Sequence, residues 1–344
     1  ALAVSLTLLF LLHKEFKKAA ILAFPNAIYV AYYIWISKIT ASGVDKMSMG
    51  GTVGLYAFFK HFTLQIVTFI DAIIGPSMWL KIYHSFFQVS LASLILGIIF
   101  IVVFYKTYPR KKNIYDKKLI ISFSVLLFTS FLMFAVTGHY PQLAFNLGNR
   151  VTIFGALLFS YLIILLPASR RIKTGIFALL IFSILGISDH WKDWNIEQEK
   201  VITNIQNNQS ILEYEDKETI YVSGSQYSRY GPISHIEFMS ENWVPSCIFR
   251  LLFDDIIKAK SLNKRHKYVD GYLIDTKYKL KTKIGKHIMV YNSEGDKLFR
   301  INARDINDYI DSLPPDNRHW IQFTHAKFIK KIITSLMPRL KYAF

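Results

Sequence analysis

Four long runs of apolar, almost uncharged residues, 19–37, 86–105, 119–136 and 151–166, constrain this chain more than any other feature it has. A soluble helix of such length needs a polar face, and these have none, whereas a hydrocarbon core is crossed by about 20 apolar residues. A fifth run, 176–187, reaches spanning length if it begins near Arg171. The sequence therefore predicts a mainly α protein: a polytopic membrane helix bundle over residues 1–188, followed by a small soluble α+β domain. The opening run, residues 1–12, is too short for a span and has no basic segment before it, so the sequence is expected to continue a longer chain rather than begin with a signal peptide.

Charge supports the membrane reading. The chain holds 41 Lys and Arg against 24 Asp and Glu, with 52% hydrophobic and 15% aromatic residues. Most of the positive excess lies between apolar runs rather than on a soluble face, which argues against nucleic acid as a partner. Lys14, Lys17 and Lys18 form one basic loop. A second holds Lys106, Arg110, Lys111, Lys112, Lys117 and Lys118, and a third Arg170, Arg171 and Lys173. Basic loops collect on the cytoplasmic side, so residues 38–85, 137–150 and everything after 188 are expected outside.

That orientation leaves residues 55–74, an apolar run holding Lys60, His61 and Asp71, without a crossing. Inverting six positive charges is disfavoured at about 1 kcal/mol each near an anionic leaflet. Residues 55–84 are accordingly expected to form an outward interfacial helix broken at Gly75 and Pro76, with Trp79 and Tyr83 at headgroup depth.

After Ile187 the sequence turns polar, DHWKDWNIEQEKVITNIQNNQ, and predicts an amphipathic helix leaving the membrane. The outside domain, residues 189–321, is expected to contain a strand at TIYVSG and a helix near Val244 to Ala259. A hairpin from HIMVYN and KLFRIN and a helix from Ala303 to Leu313 follow. Residues 322–344 read as a basic amphipathic helix suited to anionic membrane lipids: Lys327, Lys330, Lys331, Arg339 and Lys341 alternate with Phe328, Ile332, Ile333, Leu336 and Met337. Cys247 is the single cysteine, so no intramolecular disulfide forms and redox compartment is not legible.

No phosphate loop, dinucleotide fingerprint, HExxH or nucleophile elbow is present, and no metal-ligand spacing names a metal or cofactor. What remains are ionisable and polar residues at the outer membrane boundary, which are functional hypotheses by position. His61 and Asp71 lie on the interfacial run. His139, Tyr140, Asn149 and Arg150 lie in GHYPQLAFNLGNR, with Asn146, and Asp189 and His190 close the last span. Of these, Arg150, Asp71, His61, His139, Tyr140 and Asn149 are the substrate-binding candidates. The plainer alternatives are pairing of Asp71 with Lys81, snorkelling of Arg150 toward headgroups, and packing roles for Trp191 and Trp194.

Helices in this spacing, the segment YPQLAFNLGNRVTIF, the polar helix DHWKDWNIEQEKVI and an outside domain with SRYGPISHIEF together resemble the C-terminal portion of bacterial GT-C type glycosyltransferases that use lipid-linked sugars. The resemblance implies transfer of a sugar from a polyprenyl-phosphate donor on the outer face of the cytoplasmic membrane. The acceptor-activating acid of such enzymes lies in an early outward loop, so the resemblance places no catalytic base within these residues. A leaving lipid phosphate needs a cation or a divalent metal opposite it, and the sequence names none. The alternatives are a polysaccharide transport or assembly protein without catalysis and a membrane-anchored scaffold.

Overall fold

The computed structural model describes residues 2–39, 55–108, 115–137, 142–145, 147–214, 218–254, 256–317 and 327–336. The chain divides into two compact units, one of residues 1–79 and 95–181, the other of residues 80–94 and 182–344.

The first unit is helical. Its elements are α1 (Leu2–Leu12), α2 (Phe16–Ile39), α3 (Leu55–Ile73), the start of α4 (Pro76–Phe86), most of α5 (Leu91–Thr107), α6 (Lys117–Thr137), α7 (Ile153–Leu165) and the first part of α8 (Arg170–Asn207). Three helical stretches, Leu55–Phe86, Lys117–Val136 and Arg170–Asn207, are long and apolar enough to cross a membrane. The first of them is the run read above as interfacial. Its break falls at Gly75, where an added Cβ would meet the Asp71 backbone at 2.5 Å.

Aromatic rings join the helices of this unit. Phe62 and Phe69 of α3 meet Phe131 of α6 edge-on, with ring centroids 6.4 and 5.3 Å apart. Gly155 of α7 lets Phe69 approach so closely that a Cβ there would lie 2.0 Å from the ring. Several polar groups inside the bundle pair with one another, which lowers their cost in an apolar medium. The Ser5 and Ser122 hydroxyls lie 2.9 Å apart, and Gln142 donates its backbone N–H to Gln65 and its side-chain amide to Ser130.

The second unit is built on α8. The helix runs 38 residues without interruption, about 57 Å at 1.5 Å per residue, so the polar segment after Ile187 continues the apolar one in one rod. The helix seats on the end of α4 and the stretch that follows it. Gly186 lies against the Ser85 carbonyl, and Asp189 accepts the backbone N–H of Ser90 at 2.8 Å. A short helix, α9 (Gln209–Leu212), then leads into the sheet domain, where Asn208 caps it through the Ile211 N–H.

The strands are β1 (Ile220–Ser223), β2 (Tyr227–Tyr230), β3 (Ile233–Glu237), β4 (Ala259–Ser261), β5 (His266–Val269), β6 (Tyr272–Asp275), β7 (Leu280–Lys283), β8 (His287–Asn292) and β9 (Lys297–Asn302). The principal sheet has the order β4-β1-β8-β9, with β1 parallel to both β4 and β8, and β9 antiparallel to β8. Helix α10 (Trp243–Phe253) belongs to the crossover from β1 to β4. It ends before the expected Ala259 because Asp254 takes the left-handed conformation that terminates helices.

Alternation along the strands sends successive side chains to opposite faces. Ile220, Val222, Met289 and Tyr291 pack with Val201 and Ile205 of α8 and Phe249 of α10. Tyr221, Ile288 and Val290 pack on the other side with Ile306 and Ile310 of α11 (Ile306–Ser312). The sheet is therefore buried on both faces, as parallel strands demand. The antiparallel sheets β2-β3 and β5-β6-β7 complete the domain, and α12 (Lys327–Leu336) follows it.

Candidate functional site

In open sheets with parallel strands, ligands bind beyond the carboxyl ends of those strands. Here the carboxyl ends of β1, β4 and β8 are followed by Gly224-Ser225-Gln226, Leu262-Asn263 and Ser293-Glu294. A cleft of about 400 Å³ opens beside the first and third of these loops, between them, β2 and the outer half of α8.

Helix α8 supplies His190, Asp193, Trp194 and Glu197 to the cleft. The spacing i, i+3, i+4, i+7 places all four on one helical face. The β1–β2 connection and β2 supply Ser225, Tyr227, Ser228 and Arg229, and the β8–β9 turn supplies Glu294.

A hydrogen-bonded frame fixes these loops. Gly224 has φ +78°, and a Cβ there would press on Asn292 Oδ1 at 2.9 Å, so glycine is needed both for conformation and for space. Asn292 Oδ1 accepts the Glu294 N–H, and Ser225 donates its own N–H to Glu294 Oε1 at 3.0 Å. Asn263 reaches across to Gln226 and to the Ser240 carbonyl.

Of the cleft-lining residues, His190 is backed by buried aromatic and imidazole rings. His190 stacks on Tyr230 with ring centroids 4.1 Å apart, and His235 lies beside both. Ser228 Oγ accepts the Ile236 N–H at 2.9 Å and sits 2.9 Å from His190 Nε2. The hydroxyl keeps a second lone pair and its own hydrogen, so it can pair with His190 in either neutral tautomer of the ring. Burial, reinforced by the neighbouring Lys81 and His190, pushes His235 far below an ordinary histidine, and burial pushes the Tyr230 phenol well above an ordinary tyrosine. Trp194 packs edge-on to Phe238, so its ring serves the core as well as the cleft wall.

The rim carries three carboxylates, Asp193, Glu197 and Glu294, against one guanidinium, Arg229, which donates to the Pro315 carbonyl. Glu294 is engaged by the Ser225 N–H, and Glu197 pairs with Lys200 at 3.5 Å. Among the described residues Asp193 forms no hydrogen bond. An acidic rim of this kind repels a phosphate and accepts hydrogen bonds from hydroxyl or ammonium groups.

Near this frame, Arg265 bridges Glu241 at 2.9 Å and Asp275 at 3.2 Å, and Lys277 joins Glu241. Burial raises the Glu241 carboxyl, but Arg265 and Lys277 outweigh it and hold the group below its ordinary value. The network is buried and internally satisfied at its carboxylates, which suits a structural part. Among the described residues no group of three or more His, Cys, Asp or Glu is arranged to hold a metal ion.

Of the six substrate-binding candidates, His61, Asp71, Asn149 and the backbone of Arg150 fall in the first unit. His61 and Asp71 sit on α3 ten residues apart, about 15 Å along the axis, so the helix does not bring them together. Asp71 accepts both the backbone N–H and the hydroxyl of Ser77 and thereby caps the start of α4. Asn149 lies half-buried in a 3₁₀ turn, Leu147–Thr152, where its carbonyl accepts from Thr152. The backbone of Arg150 shares that turn, while its side chain, together with His139, Tyr140 and Asn146, lies outside the described residues. Sequence reading named His190 and Trp194 singly and passed over Asp193, Glu197, Arg229 and Glu294. The signal was present in DHWKDWNIE, whose polar residues recur with helical period.

Comparisons with family models, with curated proteins and with solved structures return no match for this chain.

Proposed function

We propose that this chain belongs to a membrane glycosyltransferase that takes a sugar from a polyprenyl-phosphate donor, on the outer face of a bacterial cytoplasmic membrane, in the assembly of an envelope polysaccharide or glycolipid. The observation that carries the reading is the continuity of α8 from an apolar stretch into one wall of an acidic cleft. Counted from Ile187, the cleft residues of that helix stand about 5 to 15 Å past its apolar end, the depth at which headgroups and what they carry are found.

In this reading the acidic cleft takes the acceptor rather than the donor phosphate, which its carboxylates would repel. An acceptor hydroxyl donates to a rim carboxylate, which takes its proton as the oxygen attacks the anomeric carbon. The bond from that carbon to the phosphate oxygen breaks, and the lipid phosphate leaves with the electron pair. We assign that proton to Asp193, a departure from the early outward loop in which the resemblance puts the base, since Glu197 and Glu294 are engaged by Lys200 and Ser225.

The test uses the purified chain in nanodiscs with a photoreactive polyprenyl-phosphate hexose. The expected result is crosslinking to peptides covering residues 189–197 and 225–229, competed by soluble acceptor saccharide. Equal crosslinking by polyprenyl phosphate that lacks the sugar overturns the assignment. Capture of the sugar lipid without turnover by the full parent protein favours an assembly or transport role instead.

A further inference from the structure

Helix α12, KFIKKIITSL, has ten residues, three lysines and no acid. At 100° per residue, Lys327, Lys330, Lys331 and Thr334 fall within one arc of about 100°, and Phe328, Ile329 and Ile332 within another of the same width on the opposite side. A surface helix of a soluble domain turns such an apolar arc inward. Here the arc is turned out: Phe328 is 75% exposed and Ile332 44%.

From this arrangement we propose that α12 docks on an anionic bilayer surface, its apolar arc in the acyl boundary and its lysines among acidic headgroups. At about 15 Å the helix is too short to cross a hydrocarbon core, so it lies in the plane of the interface. Charge selects the occupant. An apolar face bordered by lysines alone fits a surface that is negative at its rim and apolar beneath, which is an anionic leaflet. The apolar helices earlier in the same chain hold it beside a membrane, so docking is intramolecular and proceeds at high effective concentration. The inference is independent of the transferase reading and needs only that the chain is membrane-bound.

The test uses the whole chain in nanodiscs, in a Cys247→Ser background, with single cysteines at Ile332 and Thr334 carrying an environment-sensitive fluorophore. In discs containing phosphatidylglycerol the label at 332 shifts to the blue and is quenched by nitroxide lipid, while the label at 334 stays solvent-like. In pure phosphatidylcholine the blue shift at 332 is lost. Replacing Lys327, Lys330 and Lys331 by Gln, one at a time, lowers the docked-to-free ratio about fivefold per lysine. Three results overturn the proposal: equal emission at both positions, a shift at 332 that ignores phosphatidylglycerol, and a shift that nitroxide lipid does not quench, which assigns the face to a protein partner.

Discussion

His190 and Ser228 share a hydrogen bond of 2.9 Å that ties α8 to β2, and the same hydroxyl accepts the Ile236 N–H from β3. One oxygen thus joins three elements at the cleft. Ser228→Ala leaves a buried backbone N–H and a buried ring nitrogen without partners, and each such group costs about 1–3 kcal/mol. Ser228→Ala is expected to lower the thermal midpoint of the second unit, read by tryptophan fluorescence in nanodiscs. An unchanged midpoint removes this bond from the account of the cleft.

In the proposed transfer, one cleft carboxylate reacts and two frame the site. In the full-length parent protein, Asp193→Asn should lower transfer about 10²–10⁴-fold, the range for loss of a general base. Glu294→Gln keeps an oxygen for the Ser225 N–H and should cost tenfold or less, on the order of 1.4 kcal/mol. Both side chains are on the surface, so abundance and membrane insertion should match wild type. If Glu294→Gln proves the more damaging of the two, the base is misassigned.

Two glycines of α8 offer a matched pair. A Cβ at Gly186 would lie 2.0 Å from the Ser85 carbonyl oxygen, a backbone atom that cannot swing aside, whereas Gly175 meets nothing within 4 Å. Gly175→Ala should stabilise the chain by about 1 kcal/mol, the helix-propensity gain of alanine over glycine. Gly186→Ala should destabilise it by about 1–3 kcal/mol, since the helix must move off the end of α4. Midpoints of thermal unfolding in the same nanodiscs compare the two directly, and equal shifts in one direction contradict this packing.

How much of this was legible before the structure varies with the kind of signal. Apolar length marks out the helices, because nothing else in protein chemistry tolerates such runs. The β8–β9 hairpin is legible because HIMVYN and KLFRIN flank a turn of Ser293, Glu294, Gly295 and Asp296. The parallel pairing of β1 with β4 and β8 is not, since partners 39 and 69 residues apart along the chain (Ile220 with Ala259 and with Met289) leave no local trace. For the same reason Glu294 reads as a turn residue in sequence and becomes a cleft residue only when β8 is laid beside β1. Asp71 shows the opposite case. An ionisable residue in an apolar run is conspicuous in sequence, whereas the capping bond its carboxylate makes to the helix that follows is not legible there.

Acid should weaken the second unit in two stages. His235 and His266 are buried to 1% and 4% exposure. Burial pushes both imidazoles below the ordinary value; Lys81 and His190 reinforce this at His235, while at His266 Asp275 opposes it and Arg265 sides with burial. A group whose folded value is depressed binds fewer protons folded than unfolded, so stability falls as pH falls. The histidine stage begins below the ordinary imidazole value of about 6.5, where each ring contributes a slope of about 1.4 kcal/mol per pH unit. Glu241 opens a second stage. Arg265 and Lys277 hold its carboxyl below the ordinary value despite burial, so its contribution is present above about pH 4.3 and is lost as pH falls through the lower folded value. Thermal midpoints of the chain in nanodiscs should therefore be flat near neutrality and decline from about pH 6.5 downward. His266→Gln should lower the plateau and make the first decline shallower, because one titrating ring is gone while the amide keeps a donor for Asn263. A first decline just as steep in that variant means that His266 is charged in the folded protein.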